Sequence, residues 1–172
     1  MNLPVRSDEQ ARPGLEGEAE MRTRIVRIAV VAALGSLLFG ALPTGAHGAT
    51  SSFYPRHAML TATNVSRYHH ALHGVWINRD MSQLARKHSI AMANANNLYH
   101  TPDPASYYLK GIRWHYWGEN VGVTGGTVRD LESAFMASAP HRANILHSTF
   151  RHVAIGAVRV DGVLWVTVFF YS

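Results

Sequence analysis

From Leu60 onward the apolar positions recur first with a helical period and then with a strand period. Between Leu60 and His73, the residues Val65, Tyr68 and Leu72 fall at i, i+3 and i+7. That spacing predicts a helix ended by Gly74. A second stripe is clearer: Met81, Leu84, Ala85, His88 and Met92 lead to Asn96-Asn97. Asp80 offers a cap there, with Gln83 three residues on. A third helix is predicted from Thr127, where Asp130 completes a capping-box pair. It carries Val128, Leu131 and Phe135 inward and stops before Pro140. A short helical turn over His141 to Leu146 follows.

The period then changes. Val153, Ile155, Ala157 and Arg159 alternate with His152, Ala154, Gly156 and Val158, and Asp161-Gly162 leads into Val163 to Phe170. An Asp-Gly pair between two apolar runs is a strong hairpin signal. The second run is apolar on both faces, so it belongs in the middle of a layered structure with helices on either side. The predicted fold is α+β, a sheet that is small and mostly antiparallel between helices. Residues 98–118 break both periods: they are aromatic and irregular, with Pro102, Pro104 and Gly111 among Tyr and Trp.

The segment before Leu60 has a different character. Residues 1–20 are polar and without apolar periodicity, which reads as a disordered leader or a start called too early, with Met21 the true beginning. Residues 21–48 read as a secretory signal peptide: a basic opening with Arg22, Arg24 and Arg27, an uncharged run from Ile28 to Leu42, and the small-residue exit Ala46-His47-Gly48. The alternative is an uncleaved membrane anchor, against which the run is short of the roughly 20 apolar residues of a spanning helix and is broken by Pro43. Residues 49–59 read as a linker, and 60–172 as the domain. The expected location is secreted, extracellular, with membrane contact only through the signal segment.

Charge and composition narrow the partners. The chain of 172 residues has 16 Lys and Arg, 11 Asp and Glu, 11 His and no Cys. The net charge of +5 falls entirely in residues 49–172, which hold 11 basic and 6 acidic residues and ten of the histidines. Those basic residues are scattered singly, apart from Arg86-Lys87, so nucleic-acid binding is not indicated. A diffuse positive charge on an exported domain suits a lipid, a glycan or an anionic envelope polymer. The missing cysteines exclude thiol chemistry and every Cys-based zinc site.

Three polar residues stand among apolar or aromatic neighbours: His100 in Leu-Tyr-His-Thr, Glu119 in Gly-Glu-Asn-Val, and His141 in Ser-Ala-Pro-His-Arg-Ala-Asn. Two imidazoles and one carboxylate are the ligand set of a three-coordinate site for a divalent metal such as zinc. For His141 there is a further argument, since a first-turn position facing the positive end of a helix dipole favours neutral imidazole. The bland alternative for each histidine is a hydrogen-bonded structural role.

These words, followed by Ile155-Gly156-Ala157 and a terminal Trp-Val-Thr-Val-Phe strand, come in an order that resembles the CAP superfamily. That superfamily unites cysteine-rich secretory, antigen 5 and pathogenesis-related proteins, and the chain looks most like its cysteine-free bacterial branch. The resemblance covers about residues 60 to 171. It implies a three-layer α-β-α sandwich, secretion, and a cleft lined by two histidines and two acids that in some members holds a divalent metal. It maps His100 and His141 onto the cleft histidines and Glu119 onto the first acid. The second acid is missing: Ser138 stands near its position, and Glu132 lies more than a turn earlier and reads as facing solvent.

Other features have plainer readings. His69 and His73 lie four apart but lack the Glu of His-Glu-x-x-His, so a solvated helix face is expected. Trp114-His115-Tyr116-Trp117 could stack on sugar or meet lipid, although packing beneath a loop is the simpler account. Gly122, Gly125 and Gly126 read as a flexible loop. Ser138 and His141 lack a nucleophile elbow and an adjacent orienting acid, which disfavours serine hydrolysis. The incomplete set of catalytic groups turns the reading from an enzyme toward a binding module for a small ligand, lipid or envelope component. A metal-dependent hydrolase acting on an envelope or peptide substrate, and a structural surface protein with a vestigial cleft, are the alternatives.

Overall fold

The computed structural model describes residues 53–172, so the leader at 1–20 and the signal segment at 21–48 lie outside the described residues. Helix α1 (Phe53–His69) begins earlier than Leu60, inside the segment read as linker. It also turns a different face inward. Met59, Thr63 and Arg67, four residues apart, are buried, whereas Val65 and Tyr68 are exposed. The apolar stripe misled because the inward face is largely polar and its groups are satisfied by distant partners. The Arg67 guanidinium reaches four backbone carbonyls, those of His73, Ile145, His147 and Phe150, at 2.7–3.1 Å. The helix stops short of Gly74, with Ala71 in the left-handed region at φ 57°.

A two-residue strand β1 (Trp76–Ile77) runs directly into α2 (Arg79–Ala95). The cap is Asn78, whose side chain accepts from the Met81 N–H at 3.0 Å, so Asp80 falls in the first turn instead. The expected stripe holds: Met81, Ala85, His88 and Met92 are buried. After the short helix α3 (Pro104–Tyr108) comes strand β2 (Trp117–Thr124), which the irregular pattern hid. Gly122 is a buried part of that strand and not a flexible loop, because a Cβ there would lie 2.7 Å from Leu131 and 2.8 Å from Phe135. Helix α4 (Val128–Ala137) has the predicted Thr127–Asp130 capping box, and α5 (Ala139–Ile145) follows it. Glu132 of α4 is buried, contrary to its reading as solvent-facing, because the hydroxyls of Ser66 and Thr63 donate to it at 2.7 and 3.3 Å.

Strands β3 (His152–Val160) and β4 (Val163–Tyr171) form the predicted hairpin, with Asp161 and Gly162 at φ 49° and 80° in its turn. The sheet order is β1-β3-β4-β2, antiparallel except for β1 against β3. Leu164, Val166, Val168 and Phe170 of the interior strand β4 face α1, α4 and α5; Trp165 and Phe169 face the α2 side. The result is the α-β-α sandwich, with β2 as an edge strand. Gly156 permits the closest approach of the layers, since a Cβ there would collide with the α2 backbone at Ala85 and Arg86.

Candidate functional site

Glu119 projects from β2 toward the α2 side and is 2% exposed at its side chain. Its carboxyl is fully engaged within the chain. Oε2 accepts from the Thr101 N–H at 3.0 Å and from His100 Nδ1 at 2.9 Å; Oε1 accepts from the Thr101 hydroxyl at 2.5 Å. Since the Thr101 proton goes to Glu119, its oxygen accepts from the Tyr108 hydroxyl 3.1 Å away. Burial, and then the nearby Glu119, push the Tyr108 phenol far above its usual range, which keeps that proton in place. The network fixes the His100 tautomer. With Nδ1 donating to Glu119, Nε2 is the free polar atom of a half-exposed ring.

His141 sits in the first turn of α5. Its Nδ1 meets the Ser138 hydroxyl at 3.0 Å, and its ring packs on Phe135 with centroids 4.9 Å apart. Burial, and then proximity to His100, hold its pKa below the ordinary histidine value, so the ring is neutral at pH 7. The preference for neutral imidazole comes first from desolvation and not from a helix dipole. Ser138 occupies the cap position of α5, yet its hydroxyl serves the His141 ring and makes no cap bond.

The two motifs interlock across the edge strand. The Asn144 amide donates to the Glu119 carbonyl at 3.2 Å and to Asn120 Oδ1 at 2.8 Å, while the Asn120 amide donates to the His141 carbonyl at 3.0 Å. A Cβ on Gly118 would collide with the Asn144 side chain, so the glycine makes room for the lock. Glu119 and Asn120 alternate along β2, so the His100 ring meets the strand through Glu119 and the His141 backbone meets it through Asn120. Thr101, Tyr108, Asn120 and Asn144 were not singled out by sequence reasoning. The only signal for Thr101 and Asn120 was their place beside His100 and Glu119.

This donor set does not fit a three-coordinate zinc site. Both oxygens of Glu119 already accept hydrogen bonds, Ser138 replaces the second acid, and Glu132 is held on the far side of α4 by Ser66 and Thr63. Among the described residues no group of three or more His, Asp and Glu is arranged to hold a metal ion. The site instead offers two imidazoles whose Nδ1 atoms are each fixed by a partner. His69 and His73 do not share a helical face either, because α1 ends at His69.

No helix among the described residues is long and apolar enough to cross a membrane. Comparison with known proteins agrees with the fold. Residues 60–170 match CAP, the cysteine-rich secretory protein family. The uncharacterized Bacillus subtilis protein YkwD is 31% identical over 116 residues, 64% of this chain and 45% of that protein, so the chain spans under half the length of that relative. An outer surface protein from Borrelia burgdorferi has a similar structure, with a TM-score of 0.66 at 14% identity over 74% of this chain and 98% of that one. An extracellular protein containing an SCP domain from Bacillus anthracis gives 0.58 at 22% identity, over 69% and 40%. With the matching family pattern covering more than half of its length, the chain belongs to the CAP family of cysteine-rich secretory proteins.

Proposed function

We propose that this is a secreted CAP-domain binding module whose cleft, between His100 and His141, takes a small ligand, lipid or cell-envelope component. One observation carries the reading: the Glu119 carboxyl is spent on orienting His100 and Thr101. A hydrolytic site needs a base free to take a proton from water or a nucleophile. Here both carboxyl oxygens already accept hydrogen bonds, and what remains is the Nε2 of a half-exposed His100 ring, able to hydrogen-bond a hydroxyl, carboxylate or phosphate group. Export is supported by the basic and apolar pattern of residues 21–48 and by the relative described as extracellular.

The test is a melting-temperature screen of the purified chain against lipid, glycan and metal panels. A ligand-induced rise that disappears in His100→Ala and in His141→Ala is expected. No rise with any panel removes the reading. Elemental analysis of protein purified without chelator separates the metal-dependent hydrolase, which requires stoichiometric metal lost in the His100→Ala/His141→Ala double variant. The vestigial-cleft alternative requires that alanine at His100, Glu119 and His141 together leaves every phenotype of the producing cell intact.

A further inference from the structure

A hollow of about 520 Å³ lies between α3 and the turn that follows it, lined by Ala105, Ser106, Leu109, Lys110 and Trp114. Its size suits a small ligand. Leu109, one of the lining residues, is buried. Trp114 is half-buried and packs against the cluster that contains Met81, Phe169 and Tyr171, so its ring is held from behind. Ser106 and Lys110, which also line the hollow, are exposed. No lining residue is acidic. Asp103, the nearest acid along the chain, is occupied as the cap of α3, where it accepts from the Ser106 N–H at 3.4 Å.

We infer that this hollow binds an acidic oligosaccharide. A pre-held indole ring offers a flat apolar face for one side of a pyranose, at little entropic cost. The Ser106 hydroxyl is placed to bond a sugar hydroxyl, and the Lys110 ammonium to meet a uronate carboxylate. The hollow is open, and Ser106 and Lys110 add two polar groups to a mainly apolar lining, which suits a sugar ring stacked on the indole better than an acyl chain needing an enclosed slot. The Lys110 charge agrees in sign with the positive excess of residues 49–172. The aromatic run of the sequence thus divides. Trp117 is a packing residue, stacked on Phe169 with centroids 5.9 Å apart, and Trp114 turns part of its surface to the hollow.

The hollow is lined by none of His100, Glu119 and His141, so the two readings fail independently. The experiment is calorimetric titration of the purified full chain with oligogalacturonate, neutral oligogalactose and phosphatidylglycerol vesicles, at low and high salt. Oligogalacturonate is expected to bind. Lys110→Gln and raised salt should each weaken it at least tenfold, Ser106→Ala should weaken it less, and the His100→Ala/His141→Ala variant should bind as the parent does. Lys110→Gln and Ser106→Ala alter exposed side chains and keep the fold, so they decide the matter even if Trp114→Ala does not fold. Absence of oligogalacturonate binding, equal binding of the neutral sugar with no loss in Lys110→Gln, or binding to vesicles alone would overturn the proposal. So would binding abolished in the double histidine variant but kept in Lys110→Gln.

Discussion

Replacing Arg67 by Met tests the most unusual element of the fold. The guanidinium is fully buried and donates to four backbone carbonyls, three of them in the segment 145–150 that joins α5 to β3. Removing an ion pair by changing both partners to apolar groups is often neutral, but backbone carbonyls cannot be mutated away. Some acceptors keep a second donor: Arg151 also reaches the Phe150 carbonyl at 3.1 Å, and the Phe150 N–H reaches that of His147 at 3.4 Å. The buried Ile145 carbonyl, at the end of α5, loses its donor and carries the penalty of a buried unsatisfied group, about 1–3 kcal/mol. Loss of the other charge-assisted bonds, less the desolvation that the guanidinium no longer suffers, brings the total to about 3–5 kcal/mol. For a domain of this size that lowers Tm by on the order of 10–20 °C. Arg67→Lys keeps the charge but not the planar fork, and should fall between the two. Urea unfolding followed by circular dichroism measures both, provided the denaturant slope is unchanged. A loss below about 1 kcal/mol in Arg67→Met would refute the reasoning, because the carbonyls would then have other partners.

Three further outcomes follow from the same geometry. Burial raises the Glu132 pKa despite two hydroxyl donors, so the protonated form is favoured in the fold. Its cost therefore appears as pH rises through the ordinary carboxyl range, and Glu132→Gln should gain in stability relative to the parent between pH 4 and 7; a relative loss on raising the pH would contradict the direction. His141 and His147 are both held below the ordinary value, first by burial and then by His100 and Arg67 respectively. The unfolded chain thus takes up protons first as pH falls through about 6.5, and stability should decline there, less steeply in His141→Gln; parallel curves for variant and parent would exclude His141 as a source. Gly156→Ala drives a methyl group into the α2 backbone at Ala85 and Arg86, and overpacking of this kind costs about 1–3 kcal/mol or more, readable as a lower midpoint in urea.

Where local period and burial coincide, the fold was legible. Helix α2 and the β3–β4 hairpin carry enough apolar residues on their inward faces, Met81, Ala85 and Met92 in the helix and Leu164, Val166, Val168 and Phe170 in the strand, for the period to show, and Thr127-Asp130 announces α4 directly. Helix α1 was misread because Thr63 and Arg67 become buried through partners about seventy residues away, which no window of sequence contains. Strand β2 was hidden for a related reason. Gly118, Glu119, Asn120 and Gly122 break the alternation, and their burial depends on Asn144, Thr101, Leu131 and Phe135 from other elements. His100, Glu119 and His141 were picked out by the words around them, and the chain does join His100 to Glu119. The role of the carboxyl was not legible, because residue type does not reveal that Thr101 takes up both of its oxygens.

The balance of polar groups in the site bears on what it is built to do. Tyr108, Thr101 and Glu119 form one chain of hydrogen bonds ending on His100, and Asn144, Asn120 and the His141 carbonyl form another. Each network holds one side of the edge strand, and neither leaves a carboxylate free. A buried network that is fully satisfied rigidifies its surroundings, whereas a partly satisfied one is costly. The chain therefore specifies the positions of two imidazoles more strongly than it specifies a reactive group between them. Thr101→Val separates these alternatives. It removes one donor to Glu119 and the acceptor of Tyr108 without touching either histidine. If the network serves positioning, loosening Glu119 should loosen the His100 ring with it and ligand-induced stabilisation should fall. If Glu119 instead acts as a base, freeing its Oε1 should leave ligand binding intact and raise any hydrolytic turnover.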